Sequence, residues 1–303
     1  MIYSTETYGK WILCGEQSVI RGYPAIVFPL GNYSLKLHYS HTPSPIKIVS
    51  KQPQYNEALQ ATWQQCWGIF NQTHHLYCQQ GDLFIDSNIP IGQGMGASAA
   101  LCLAVARCVH TLLSLPSADI WQTAKQLEHH FHGLSSGLDI LGAGSQQGEW
   151  FHQGQHRALK LAWQPHCTLT PSHEIGSTAK AIAKVQQIHQ ENPTLGLELD
   201  KKMEMSVNMA LHALEQQSNG LRPLQEALKL SHECFQNWGL ITPNMQQKID
   251  ELYAKGALAV KPTGSGGGGY LLSLWLKETY LSLPEKGQDL KIILPSNNTS
   301  HPL

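Results

Sequence analysis

Hydrophobic and polar positions change rhythm along the 303-residue chain. Trp11-Ile12-Leu13-Cys14 and Ala25-Ile26-Val27-Phe28 are short apolar runs punctuated by Gly15 and Gly22, and they read as strand, turn, strand. Residues 41–60 are polar with several prolines and read as a surface excursion. Leu83-Phe84-Ile85 is strand-like and leads into a glycine stretch ending at Gly96. Beyond it, Leu101, Val105, Cys108, Val109 and Leu112 recur at i, i+4, i+7, i+8 and i+11, which predicts a helix with one apolar face. A second helix is expected from Ser117, an N-cap residue, with Ile120, Ala124, Leu127 and Phe131 as its stripe and Gly133 as its stop. A strand-rich patch with Trp150, Phe151 and Trp163 follows.

Residues 173–255 read as mostly helical, interrupted by Pro193, Gly220, Pro223, Gly239 and Pro243. Ala257–Val260 and Tyr270–Trp275 read as strands around a second glycine stretch. No internal repeat or low-complexity linker is present, and the tail beyond residue 294 is expected to fray. Residues 160–175 are the best boundary, giving two domains, 1–165 and 166–303.

Composition narrows the class. Hydrophobic residues make up 42% and charged residues 14%, so a real core is available and disorder is excluded. Net charge is −1, only Arg21, Arg107, Arg157 and Arg222 are arginines, and no Lys/Arg run exists. A nucleic-acid groove or an anionic membrane surface needs a basic stripe, so the composition argues against both partners. The seven cysteines are scattered without a CxxC, against a disulfide framework or zinc knuckle. The N-terminus lacks the pattern of a secretory signal, and the apolar stretch Ala97–Leu115 carries Arg107 and His110. A reducing, cytoplasmic setting is expected.

Four places carry candidate chemistry. Gly92–Ser98, GQGMGAS, sits between a predicted strand and a helix. Glycines there let backbone approach a ligand, and a helix N-terminus favours phosphate. It lacks the lysine of GxxxxGK[ST], and a plain helix-capping turn explains the spacing equally well. Thr263–Gly269 holds five glycines in seven positions between apolar strands. It reads as backbone lying against a bulky ligand, or as a flexible hairpin. Glu128 lies beside the stripe of its helix, and Asp139 follows a Ser-Ser-Gly turn. Together they suit a metal ligand and a general base, although a boundary carboxylate and a helix-start Asp are the simpler pair. Lys10 beside Gly9 suits phosphate neutralisation, or is a solvated strand-end lysine. His129, His130 and His132 do not share one helix face, and with His74 and His75 they read as surface or packing residues.

Taken together, the segments resemble a known family. GKWILCGEQSVIRGYPAIVFPL resembles the opening motif of mevalonate kinases, in the superfamily of galacto-, homoserine, mevalonate and phosphomevalonate kinases. IPIGQGMGASAAL resembles that superfamily's phosphate loop, P-x-G-x-G-L-G-S-S-A, and KPTGSGGGGYLL its third motif, K-x-T-G-A-G-G-G-G. HGLSSGLD resembles HGxPSGxD, GSTAKAIAKV a segment preceding a helix, and 228–264 the usual run-up to the third motif. These occur in family order over residues 9–275.

The resemblance implies an α+β fold of two domains. The N-terminal one is an α/β, ribosomal-protein-like domain with a left-handed βαβ unit, against the usual handedness. The C-terminal one is ferredoxin-like. It implies ATP and Mg²⁺ as cofactors, a small alcohol such as mevalonate as substrate, and often a homodimer. Asp139 matches the catalytic aspartate and Lys10 the lysine that steadies it. Ser98 and Glu128 match the Mg²⁺ ligands, and Gly92, Gly94, Met95, Gly96 and Ala97 the triphosphate loop. Glu16, Gln17, Thr178, Gly264, Gly266 and Gly267 match positions around the substrate, and Gly268 belongs to the same loop.

Departures cluster at the acceptor pocket. Position 17 is Gln for His, 176 is Gly for Arg, 135 is Ser for Pro and 140 is Ile for Asn; apart from these, 97 in the phosphate loop is Ala for the first Ser. The leading expectation is a mevalonate kinase. The alternatives are a sister kinase acting on phosphomevalonate, homoserine or a sugar, and a non-catalytic nucleotide-binding sensor.

Overall fold

A computed structural model describes residues 1–216, 220–284, 289–292 and 294, with His132 described by its backbone alone. The tail 295–303 lies outside the described residues. Two compact units interleave along the chain. The first comprises Met1–Lys10, Pro29–Ile91 and Gly96–Ser145, and the second Trp11–Phe28, Gly92–Met95 and 146–303.

The first unit is built on β1 (Ile2–Cys14) and β2 (Ala25–Pro45), whose residues are shared with the second unit. Then come β3 (Lys47–Ser50), α1 (Asn56–Ile69), α2 (Leu76–Gln79) and β4 (Gln80–Ser87). The unit ends with α3 (Ala97–Leu112), α4 (Ile120–His132) and α5 (Leu138–Gly144). β2 pairs antiparallel with β4 from Leu35↔Ser87 to Ser40↔Asp82, and β3 runs parallel to β4 with α1 between them in sequence. Leu35, Leu37 and Tyr39 are buried, while Lys36 and His38 face out, the one-sided alternation of a half-covered sheet. α3 is buried around its whole circumference and packs on α1, α4 and α5.

In the second unit, Ala25–Val27 of β2 pair with β5 (Glu149–His152), which pairs with β6 (Gln155–Ala158). Next come β7 (His166–Pro171), α6 (Thr178–Glu191), α7 (Pro193–Glu215), α8 (Leu221–Asn237) and α9 (Pro243–Ala254). β8 (Ala259–Thr263), β9 (Tyr270–Trp275), α10 (Lys277–Ser282) and β10 (Leu290–Ile292) complete it. The sheet order β10-β7-β9-β8, antiparallel throughout, is the ferredoxin-like arrangement. Pro193 and Pro243 open α7 and α9, where a missing N–H costs nothing.

Several sequence expectations need correction. Residues 41–60 are not an excursion: β2 runs to Pro45 past an irregularity after Ser40, and β3 and α1 follow. β1 is thirteen residues long, because a half-exposed strand tolerates the polar positions before Trp11. Ser117 caps nothing; it opens a short 3₁₀ turn, Ser117–Asp119, and Asp119 precedes α4. Phe131, at the end of the stripe, is exposed, while Ala124 and Leu127 are buried. Trp163 lies outside the strands, its indole donating to Ala213 O at 2.7 Å. The strand expected at Ala257 begins at Ala259.

Candidate active site

In the first unit, Lys10 is not at a strand start. It lies within β1, 2% exposed, and its Nζ sits 2.8 Å from Asp139 Oδ2. Asp139 is in the first turn of α5, opened by Gly137 in the left-handed region. The third contributor to this arrangement is Gly96, the N-cap of α3 at φ +82°. A Cβ there would lie 2.7 Å from Lys10 Cγ, so glycine both makes the turn and lets the lysine stem pass. Ala97 and Ser98 follow in the first turn of α3, Ala97 buried and Ser98 half-buried.

Glu128 is more than partly desolvated: it is 2% exposed on α4. Burial, then the negative charge of Asp139, push its carboxyl up to about 8, against the pull of Ser135, Lys10 and Lys125. Ser135 Oγ donates to Glu128 Oε2. Glu128 and Asp139 thus form two mutually repelling carboxylates near one lysine. His130 is exposed and His129 half-buried. Among the described residues, no three His, Cys, Asp or Glu side chains cluster as a metal cage.

In the second unit, the two glycine stretches found separately in the sequence lie against each other. A Cβ on Gly269 would sit 2.8 Å from Gln93 O, and one on Gly264 would sit 3.3 Å from Gly94 O. Gly92 and Gly94 are exposed and Met95 is buried. Gly267 N donates to Leu240 O, and Gly269 N to Glu174 O, both at 2.8 Å, which fixes the third-motif loop between the α8–α9 connection and the segment before α6. Gly266 belongs to this wall, its α-carbon facing Phe235 and Leu240.

Gln17 adopts φ +62° and is 5% exposed. Its Nε2 donates to Ser265 O at 2.8 Å, and its buried Oε1 finds no hydrogen-bond partner among the described residues. Thr178, the first residue of α6, donates through Oγ1 to Ser265 Oγ at 3.4 Å. Glu16 is 1% exposed and pairs with Lys261 Nζ at 2.5 Å, both side chains being sealed from water. Gly176 lies against the third-motif loop, where a Cβ would be 3.1 Å from Gly266 O.

The sequence analysis placed Lys261 and Ser265 in the third motif and Ser135 as a departure from its motif, without assigning a contact or a role to any of them. For Lys261 the signal was its place as the lysine of the third motif, within an apolar strand, β8. Ser135 was marked only by standing where the motif has proline, and Ser265 by its contacts alone.

The model for the GHMP kinases N terminal domain matches residues 61–145, and that for GHMP kinases C terminal matches residues 210–279. The chain belongs to the GHMP kinases. As such it is an ATP-dependent phosphotransferase with an alcohol as acceptor. Mevalonate kinase of Pyrococcus abyssi is 26% identical over 294 residues, covering 88% of this chain and 86% of that protein. Mevalonate kinase of Archaeoglobus fulgidus is 28% identical over 211 residues, covering 68% and 70%. The fold of this GHMP kinase superposes on L. major mevalonate kinase in complex with R-mevalonate with a TM-score of 0.77, at 20% identity and 98% and 97% coverage. It also superposes on the phosphomevalonate kinase of Streptococcus pneumoniae with a TM-score of 0.73, at 17% identity and 93% and 94% coverage. Among the described residues no helix is long and apolar enough to cross a membrane.

Proposed function

We propose that this GHMP kinase is a mevalonate kinase, transferring the γ-phosphoryl group of ATP to the mevalonate hydroxyl to give 5-phosphomevalonate for isoprenoid synthesis. The Lys10–Asp139 pair carries the reading, because phosphoryl transfer to an alcohol needs a carboxylate at the hydroxyl and a cation at the transferring group. Asp139, 35% exposed, accepts the hydroxyl proton, and Lys10, 2.8 Å from that carboxylate, holds it in place and offsets charge building on the phosphoryl oxygens. The backbone of Gly92–Gly96 with Ala97 cradles the triphosphate at the start of α3. Gln17 and Thr178 line the acceptor, held by Ser265, with Gly264, Gly266 and Gly267 as its backbone wall. Glu16 anchors the turn that carries Gln17.

The donor set suits Mg²⁺. Glu128 and Asp139 repel each other and Lys10 is committed to Asp139, so the pair is short of positive charge. One carboxylate, a serine hydroxyl and nucleotide phosphates are an ordinary hard-cation shell. Glu128 and Ser98 would hold the ion, which when bound neutralises phosphate charge.

A second reading keeps the chemistry and changes the acceptor. Gly176 and Gln17 stand at positions where the motif resemblance expects Arg and His, so the acceptor pocket differs from that of the motif while the Lys10–Asp139 pair does not. ADP release with MgATP tests both readings, with mevalonate first and then phosphomevalonate, homoserine and galactose. Turnover with mevalonate alone is the expected result. Asp139→Asn should lower kcat by about 10²–10⁴ while leaving ATP binding intact. Turnover with another acceptor only selects the second reading, and tight ATP binding without transfer to any acceptor overturns both.

A further inference from the structure

α4 sends two side chains, Trp121 and Glu128, to the short turn that opens α5. They lie seven residues apart, two helical turns along one face. Ser135 Oγ donates to Glu128 Oε2, and the same oxygen accepts the Gly137 N–H at 3.0 Å. The Trp121 indole also packs on the turn: a Cβ on Gly137 would sit 2.2 Å from Trp121 Cζ2, at φ +89°. Ser136 Oγ accepts the Leu138 N–H at 3.2 Å, and the next residue is Asp139. One hydroxyl therefore bridges the buried carboxylate of α4 to the turn that places the carboxylate of α5.

We propose that Ser135 is a positioning residue that fixes the direction of the Glu128 carboxylate relative to the Asp139 turn, and so sets the affinity for the nucleotide's divalent cation. This rests on the reading of Glu128 as a ligand of that cation. The motif that this segment resembles has proline at position 135. Proline presets a turn through its fixed φ but has no donor for a carboxylate. Serine caps Gly137 N–H and, with the same oxygen, holds Oε2. A metal-ligating carboxylate whose orientation is set by an outer hydrogen bond binds its ion about 10–100 times better than one left to rotate.

The experiment uses the full chain and Mn²⁺ as the probe, titrated by electron paramagnetic resonance in the presence of a non-hydrolysable ATP analogue. Ser135→Ala and Ser135→Pro should each weaken Mn²⁺ binding about 10-fold or more. Ser135→Thr keeps the hydroxyl and should stay within about twofold of the parent. Affinity for the analogue without metal, and KM for the acceptor, should not move. A merely structural role for Ser135 would lower thermal stability and leave Mn²⁺ affinity unchanged. Glu128→Gln separates the two ideas. If it weakens Mn²⁺ binding while Ser135→Ala and Ser135→Pro do not, the proposal for Ser135 fails and the ligand role of Glu128 stands. If Glu128→Gln binds Mn²⁺ as the parent does, the ligand role fails and the proposal for Ser135 falls with it. Should Ser135→Ala not fold, Ser135→Pro and Ser135→Thr decide the matter between them.

Discussion

Lys10 Nζ and Asp139 Oδ2 lie 2.8 Å apart, the lysine 2% exposed and the aspartate 35%. The asymmetry matters. The lysine is locked in the core of the first unit, while the aspartate keeps an open flank for a hydroxyl. Gly96 makes the arrangement possible by leaving space for the lysine stem.

Gly96→Ala should therefore act on catalysis through Lys10. The new methyl meets Lys10 Cγ at 2.7 Å and the backbone is held at φ +82°, so the lysine must shift. A displacement near 1 Å at reacting groups costs roughly 10²-fold in rate. Steady-state kinetics should show kcat falling with little change in acceptor KM. Parent-like kcat in a folded variant would show that the stem has slack.

Glu128 predicts a pH dependence of stability in metal-free protein. Its folded carboxyl is raised to about 8 from 4.5, chiefly by burial. The folded state then keeps a proton that the unfolded chain releases, so this contribution is full below about 4.5 and is lost as pH rises toward 8. Urea midpoints with chelator present should fall across that window, and Glu128→Gln should flatten the decline. An identical slope in parent and variant would remove Glu128 as its source.

The Glu16–Lys261 pair is sealed, at 1% and 0% exposed. Removing one partner leaves a buried charge and costs about 3–5 kcal/mol. Lys261→Met alone should lower the denaturation midpoint strongly. Adding Glu16→Gln should recover a large part of that loss, because the orphaned carboxylate is gone. Additive losses in the double variant would argue against a coupled pair.

All seven cysteines are free and buried. Burial pushes Cys14 and Cys167 up to about 12 and raises the other five thiols as well. Ellman's reagent should leave the native protein unmodified near neutral pH and react with every thiol after guanidine unfolding. Rapid reaction of a native thiol would reveal local opening.

Much of the fold was legible because the signals were local. The apolar positions from Leu101 to Leu112 specify α3 by their period, and Gly133, Pro193 and Pro243 mark helix ends by their own backbone limits. The strand before Trp11 was illegible because its polar residues are satisfied by one exposed face. β3 and α1 hid inside a proline-bearing polar stretch for a similar reason: half-buried elements need few apolar positions. Ser117 misled because a polar side chain near a helix start offers a cap without being obliged to make it.

At the candidate site, the sequence by itself determined which residues are present and where glycine frees the backbone. The motif order pointed to a kinase, and the family models agree over residues 61–145 and 210–279. Only tertiary structure decided their partners. It seated Lys10 in the interior against Asp139, buried Glu128, paired Glu16 with Lys261, and laid the loop at Gly94 against the loop at Gly264. Those choices are invisible along the chain, because they join residues far apart in sequence and depend on where water is excluded. A charge alone in sequence becomes a base, an anchor or a ligand only when burial raises the cost of leaving it unpaired.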